Sequence, residues 1–149
     1  MSTTGLDVFD TTLQETNHWL KLMMGELGTD NRRAAFGALR AALHAVRDRI
    51  GVDNAAHLGA QLPMLLRGAY YEGWHPAATP TRERRLADFI DHVGAGMRDS
   101  PINPGESARA CFAVMSRCLD GGEMTKLRGV LPHEALNLWP DSMLRRDHA

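Results

Sequence analysis

Between Leu6 and Leu27 the apolar positions Leu6, Phe9, Leu13, Leu20, Met23 and Leu27 recur at spacings of three, four and seven, with a break at Thr16. That period marks one face of an α-helix. It predicts a helix of about six turns carrying one apolar stripe. Gly28 is the expected stop, and Thr29 or Asp30 the cap of the next helix. The second helix runs to about Arg49, with Phe36, Leu39, Leu43, Val46 and Ile50 in line. Its six alanines (Ala34, Ala35, Ala38, Ala41, Ala42, Ala45) favour helix and leave room for close packing. Gly51 ends it. Asp53 is placed to cap a short third helix to Leu62, and Pro63 closes that helix and opens a short fourth.

The second half reads the same way. Sliding the chain by 69 residues aligns Arg40–Pro63 with Arg109–Pro132 without a gap. Arg40/Arg109, Ala41/Ala110, Leu58/Leu127, Leu62/Leu131 and Pro63/Pro132 are identical. Leu43/Phe112, Val46/Met115 and Ile50/Leu119 stay apolar, and the same shift pairs Leu20 with Phe89 and Tyr70 with Trp139. Such a register is the signature of an internal duplication. In the second copy Thr81 is the expected cap of a helix through Phe89, Ile90, Val93 and Met97. Asn103, Pro104 and Glu106 form a helix start of capping-box type, and that helix is expected to stop at Gly121-Gly122. A short helix to Leu131 and a last one ending near Trp139 follow. No stretch alternates with period two, so no sheet is expected.

The fold class expected is therefore all-α: two pseudo-symmetric four-helix repeats packed into one helical domain over residues 1–149. Repeat one spans about 5–70, an aromatic bridge 70–80, repeat two about 81–140 and a polar tail 141–149.

Composition narrows the function classes. The chain has 17 basic and 18 acidic residues, a net charge of −1, and 44% hydrophobic residues. The apolar content suits a globular chain rather than a disordered one. The charge balance lacks the basic excess of a typical nucleic-acid binder. No apolar run reaches the roughly 18 residues of a membrane span, and the start MSTTGLDVFD has no secretory pattern. Cys111 and Cys118 sit on one expected helix, about 10 Å apart along its axis. They are too far apart to pair with each other, and two buried unpaired thiols fit a reducing cytoplasm.

The run TNHWL, the stretch AAHLGAQLPMLLRGAYYEGW and the later GE-x(4)-R-x(2)-LP ending in LW resemble a family of bacterial proteins known as domain of unknown function 2267. The resemblance covers about residues 5–140 and is strongest at Gln61-Leu62-Pro63 and Tyr70-Tyr71-Glu72-Gly73-Trp74. It implies an all-helical fold and a bacterial source, and it brings no catalytic residues.

Candidate chemistry is sparse. His44/Asp48 and Asp88/His92 stand at i, i+4 on expected helices, but no His-Glu-x-x-His or Cys-x-x-Cys is present, so no metal or cofactor is assigned. No serine lies in Gly-x-Ser-x-Gly, no glycine-rich phosphate loop occurs, and no catalytic residue is named. The helical glycines Gly25, Gly37 and Gly59 are expected at close helix contacts. Arg82, Arg84 and Arg85 form the one basic cluster, expected in a first helical turn with Glu83 shared among them as counter-ion. They are the candidates for an anion or nucleic-acid contact. Tyr70, Tyr71, Glu72 and Trp74 in the bridge are the candidates for protein interaction, because Tyr and Trp join an apolar body to a polar handle. The opposing expectation is a strap that stabilises the docking of the repeats. Met23, Met24 and Met64 add adaptable apolar surface.

The function expected is a cytoplasmic, non-enzymatic protein-interaction module that binds a partner or a second copy. A small apolar ligand in an aromatic-lined pocket between the repeats is the second alternative, and an anion or nucleic-acid contact through the arginines the third.

Overall fold

The computed structural model describes residues 2–140, and every regular element among them is helical. In chain order these are α1 (Asp7–Leu27), α2 (Arg32–Arg49), α3 (Val52–Ala60), α4 (Met64–Tyr71), α5 (Leu86–Ala95), α6 (Pro104–Cys118) and α7 (Gly121–Val130). Short 3-10 helices lie at Pro76–Ala78 and His133–Leu138. The polar tail 141–149 lies outside the described residues.

The centre is the contact between α2 and α6. Ala35, Ala38, Ala41, Ala42 and Ala45 of α2 are buried, and so are Ser107, Ala108, Ala110 and Cys111 of α6. Small side chains let the two backbones approach closely. At the crossing Ser107 Oγ donates to the Ala38 carbonyl at 2.6 Å, which satisfies a hydroxyl buried in the core. Around this pair pack α1 and α5, with α3 and α4 against α2, and α7 and the last 3-10 helix against α6; His57 of α3 meets Glu123 of α7 at 2.8 Å. Phe112 stacks on Phe89 at 6.2 Å and on Trp139 at 4.8 Å between ring centres. Trp19 and Trp139 are core residues.

The helix starts follow local chemistry, with several shifts from expectation. Asn31, rather than Thr29 or Asp30, caps α2 by accepting the Ala34 N–H at 3.0 Å. Gly51 precedes α3 at φ 88°, which leaves Asp53 inside the first turn. Asn103 caps α6 as expected, but Glu106 pairs with Arg109 instead of closing the box. Asp120 caps α7, so Gly121-Gly122 begin that helix and α6 already ends at Cys118. Helix α5 begins at Leu86 and not at Thr81. Thr81 N–H is held by the Asp48 carbonyl at 2.8 Å and the Glu83 carbonyl by Arg49 Nε at 3.0 Å. These bonds keep residues 81–85 out of the helix, whose positive end would also disfavour three arginines. The first N–H of α5 is taken by a carboxylate instead, Glu134 Oε2 at 2.7 Å from Leu86 N.

Candidate functional site

Helix α1 buries only its second half. Trp19, Leu20 and Met23 are in the core, whereas Leu6, Val8, Phe9 and Leu13 are exposed. The expected apolar stripe is thus divided near Thr16: its later positions meet α2 and α6, and its earlier ones run past them. Thr12 Oγ1 accepts the Leu65 N–H at 2.8 Å and so supplies from α1 a cap that α4 lacks locally. Ahead of α1, Ser2 and Thr4 hydroxyls bind Asp10, which lowers the Asp10 carboxyl below its usual range. The result is a fixed groove between the two helices. Thr4, Phe9, Thr12, Leu13, Met64, Leu65 and Gly68 line about 430 Å³ with apolar walls. Phe9 (50%), Met64 (49%) and Leu65 (51%) are half exposed, unusual for large apolar side chains that share one concavity. Met23 is fully buried and Met24 partly so; Met64 is the exposed methionine of the three. The sequence pattern put Leu6, Phe9 and Leu13 on the same apolar stripe as Leu20 and Met23. The break at Thr16 and the Met64-Leu65 pair directly after Pro63 were the signals of a second surface.

The first residues of the aromatic bridge pack back onto α2 and α3, as a strap within their own half of the chain rather than across the two halves. Tyr70 and Tyr71 lie in the last turn of α4 rather than in irregular chain. Tyr70 is fully buried, and its hydroxyl donates to the Ala55 carbonyl at 2.8 Å. Burial pushes its phenol pKa up. Tyr70 therefore leaves the interaction candidates. Tyr71 is half-buried between Tyr70 (5.0 Å) and Trp74 (5.2 Å). Glu72 is exposed and meets Arg40 at 3.4 Å. Beneath them Arg47, 4% exposed, donates through one guanidinium nitrogen to the carbonyls of Tyr70 (2.7 Å) and Glu72 (2.9 Å), and through the others to Asp48. Gly59 is the glycine that the strap requires: a Cβ there would stand 2.7 Å from Tyr71 Cζ. Gly25 and Gly37, expected at close contacts, have open space around them instead.

The basic cluster is arranged differently from expectation. Arg82, Arg84 and Arg85 are exposed, but they precede α5 and make no ion pair among the described residues. Glu83 turns inward and is not shared among them; its Oε1 lies 2.6 Å from His92 Nδ1. The other ring nitrogen of His92 lies 3.4 Å from Asp48. Both expected i, i+4 pairs are thus replaced by contacts between elements. His44 Nε2 donates to the Ala69 carbonyl at 2.8 Å, and burial lowers its pKa. The Asp48 and Glu83 carboxylates raise that of His92 against the opposing effect of burial. Asp48 and Glu83 are lowered in turn, as hydrogen bonds to their charged forms outweigh desolvation. The two carboxylates flank opposite edges of one imidazole, an arrangement that binds a proton rather than an ion. Among the described residues no group of three His, Cys, Asp or Glu is placed to hold a metal.

Two clefts between the halves carry one aromatic residue each, Trp19 in one and Trp139 in the other. The cleft between α1 and the ends of α3 and α6, about 530 Å³, is lined by Gln14, Glu15, His18, Trp19, Gln61, Pro63, Arg117 and Cys118. Its walls mix charged and amide side chains with the apolar surfaces of Trp19, Pro63 and Cys118. Burial pushes the Cys111 thiol up to about 12 and the half-buried Cys118 thiol up to about 11, so both are protonated at neutral pH.

A helical protein with no membrane-crossing helix among its described residues, an apolar groove and an inward-locked salt network belongs to the class of small α-helical domains. Within that class, the chain belongs to the family described as "Uncharacterized conserved protein (DUF2267)", whose family model matches residues 16–138. That span includes the strap, the arginines and His92, and begins after the exposed first turns of α1. A search of curated proteins found no match.

Proposed function

We propose that the protein is a non-enzymatic interaction module that receives an amphipathic helix of a protein partner in the α1/α4 groove. The observation that carries this reading is the half-exposure of Phe9, Leu13, Met64 and Leu65 around one apolar concavity fixed by the Thr12–Leu65 bond. Apolar grooves between helices are a recurrent seat for helices anchored at i, i+3, i+4 and i+7. Asp7, Asp10 and Glu15 are the charged residues of α1 before Lys21. They favour an occupant with basic flanks and disfavour a second copy of α1, which would bring the same acids together.

The two-repeat architecture is part of the same proposal. It is supported by matched burial at the 69-residue shift: Leu20/Phe89, Leu43/Phe112, Val46/Met115, Leu58/Leu127, Leu62/Leu131 and Tyr70/Trp139 are all core pairs. The Ser107–Ala38 bond joins two residues that the shift itself equates, as a two-fold axis through the α2/α6 crossing would require. The groove breaks this symmetry, because α1 is 21 residues long and α5 only ten. The two unpaired thiols favour a reducing, cytoplasmic setting.

Leu13→Asp and Leu65→Asp test the proposal. Both sites are partly exposed, so the fold should survive. A protein co-isolated with the tagged full chain and lost in both variants supports the reading. Equal recovery in wild type and variants overturns it. A dimer abolished by both changes would make the occupant a second copy, and a small apolar molecule displaced by both would make the groove a ligand site.

A further inference from the structure

The run Arg82-Glu83-Arg84-Arg85 carries its own counter-ion, and the fold removes it. Glu83 is drawn onto His92 Nδ1 at 2.6 Å, its side chain only 14% exposed, while Arg49 holds its carbonyl. His92 is braced from behind by Asp48, itself gripped by Arg47 at 2.8 Å. Asp48 with Arg47 from α2, and Glu83 with Arg49 behind it, are the charged groups that face the imidazole; Asp88 and Asp91 on its own helix are exposed. Outside this lock stand three exposed arginines without an ion pair among the described residues.

We infer that Arg82, Arg84 and Arg85 form a docking strip for a carboxylate-rich peptide of a partner protein, kept open because His92 draws Glu83 inward. Arginine forks match carboxylates in paired hydrogen bonds. Arg82 and Arg84 are two residues apart, and alternate side chains of an extended acidic peptide repeat at about 6.6–6.8 Å. The chain itself seats a carboxylate beside the strip, Glu134 on the Leu86 N–H at 2.7 Å. Nucleic acid fits less well. The segment 81–85 contains no aromatic residue for base stacking. The strip shares no residue with the α1/α4 groove, so it stands or falls independently of that reading.

The lock also makes the strip sensitive to pH. The flanking carboxylates raise the pKa of His92 above its ordinary 6.5, so the proton is held to higher pH than on a free imidazole. Once it is lost, the His92–Glu83 ion pair weakens to a hydrogen bond, and the carboxylate swings toward the neighbouring arginines, neutralising the strip.

The test is a titration of the full chain with fluorescein-labelled hexaglutamate at low salt, at about pH 6 and about pH 9, where the peptide is ionised throughout. Oligothymidylate is the comparison probe. The expected result is binding at the lower pH, weakened roughly tenfold when Arg82, Arg84 and Arg85 are all changed to Gln, since three exposed pairs together carry about that factor. Wild-type binding should fall at the higher pH, whereas Glu83→Gln should bind equally at both. The strip is overturned by no binding to wild type, by undiminished binding to the triple variant, or by oligothymidylate binding as tightly as the peptide. The gate is overturned if wild type and Glu83→Gln share one pH profile. Circular dichroism of each variant checks that the exposed substitutions leave the helices intact.

Discussion

Replacing Arg47 with Met isolates the joint between the central helix and the strap. The methionine fills much of the same space but removes the guanidinium that ties Asp48 to the carbonyls of Tyr70 and Glu72. Each charged bond contributes on the order of 1.5–3 kcal/mol when made, yet the two carbonyl bonds share one nitrogen and do not add. Breaking a buried ion pair by removing one partner costs about 3–5 kcal/mol. The lower end applies here, because Asp48 is 18% exposed and keeps His92 as a partner. The expected loss is about 3 kcal/mol, or a fall of about 1.5 M in urea midpoint if the slope is about 2 kcal/mol/M. Urea denaturation followed by circular dichroism measures it. Hydrogen exchange should show the loss of protection concentrated at Glu72 and Trp74, whose N–H groups close the end of α4, and spare α6. A loss under about 1 kcal/mol would mean that the charge behaves as a surface pair, and the strap would need another explanation.

Three further outcomes follow from the same geometry. Gly37→Ala in α2 should stabilise the protein by up to about 1 kcal/mol, as its Cβ meets open space, whereas Gly59→Ala should destabilise it by displacing Tyr71; thermal melts of the two variants check the contrast. His92 and His44 should act in opposite directions on stability. The raised pKa of His92 gives a contribution that is full below 6.5 and is lost as pH rises through its folded value, and the lowered pKa of His44 gives one that is present above 6.5 and is lost as pH falls through its folded value. Melts of His92→Gln and His44→Gln should therefore flatten the alkaline and acid limbs respectively, and unchanged limbs would refute the assignment. Cys111 should resist thiol reagents in the native protein at neutral pH and react only on unfolding, measured by reagent uptake against urea; rapid native labelling would contradict its burial.

Much of the fold was legible in the chain because helical periodicity and punctuation carry it. The stop at Gly28, the cap at Asn103 and the turns before Pro63 and Pro132 follow from backbone chemistry that needs no tertiary partner. What escaped was set by contacts distant in sequence. Helix α5 starts late because Asp48 and Arg49 hold the preceding residues. Asp48 takes His92 from another helix in place of His44 one turn away. Glu83 reads as counter-ion to its neighbours until the fold turns it inward. The groove was the hardest feature to see, because an apolar stripe that packs a core and one that faces outward have the same period. Only the three-dimensional length of α1 relative to α2 and α6 divides them.

The most direct test of the account is a photo-reactive benzophenone side chain introduced at Leu65 of the full chain and irradiated in the native host. The account predicts a cross-link to one protein partner, mapped to a helix with basic flanks, that disappears when Leu13→Asp is added. The contradicting result is a chain that stays uncross-linked, or whose cross-links persist unchanged with Leu13→Asp, while a control benzophenone on the opposite face behaves identically.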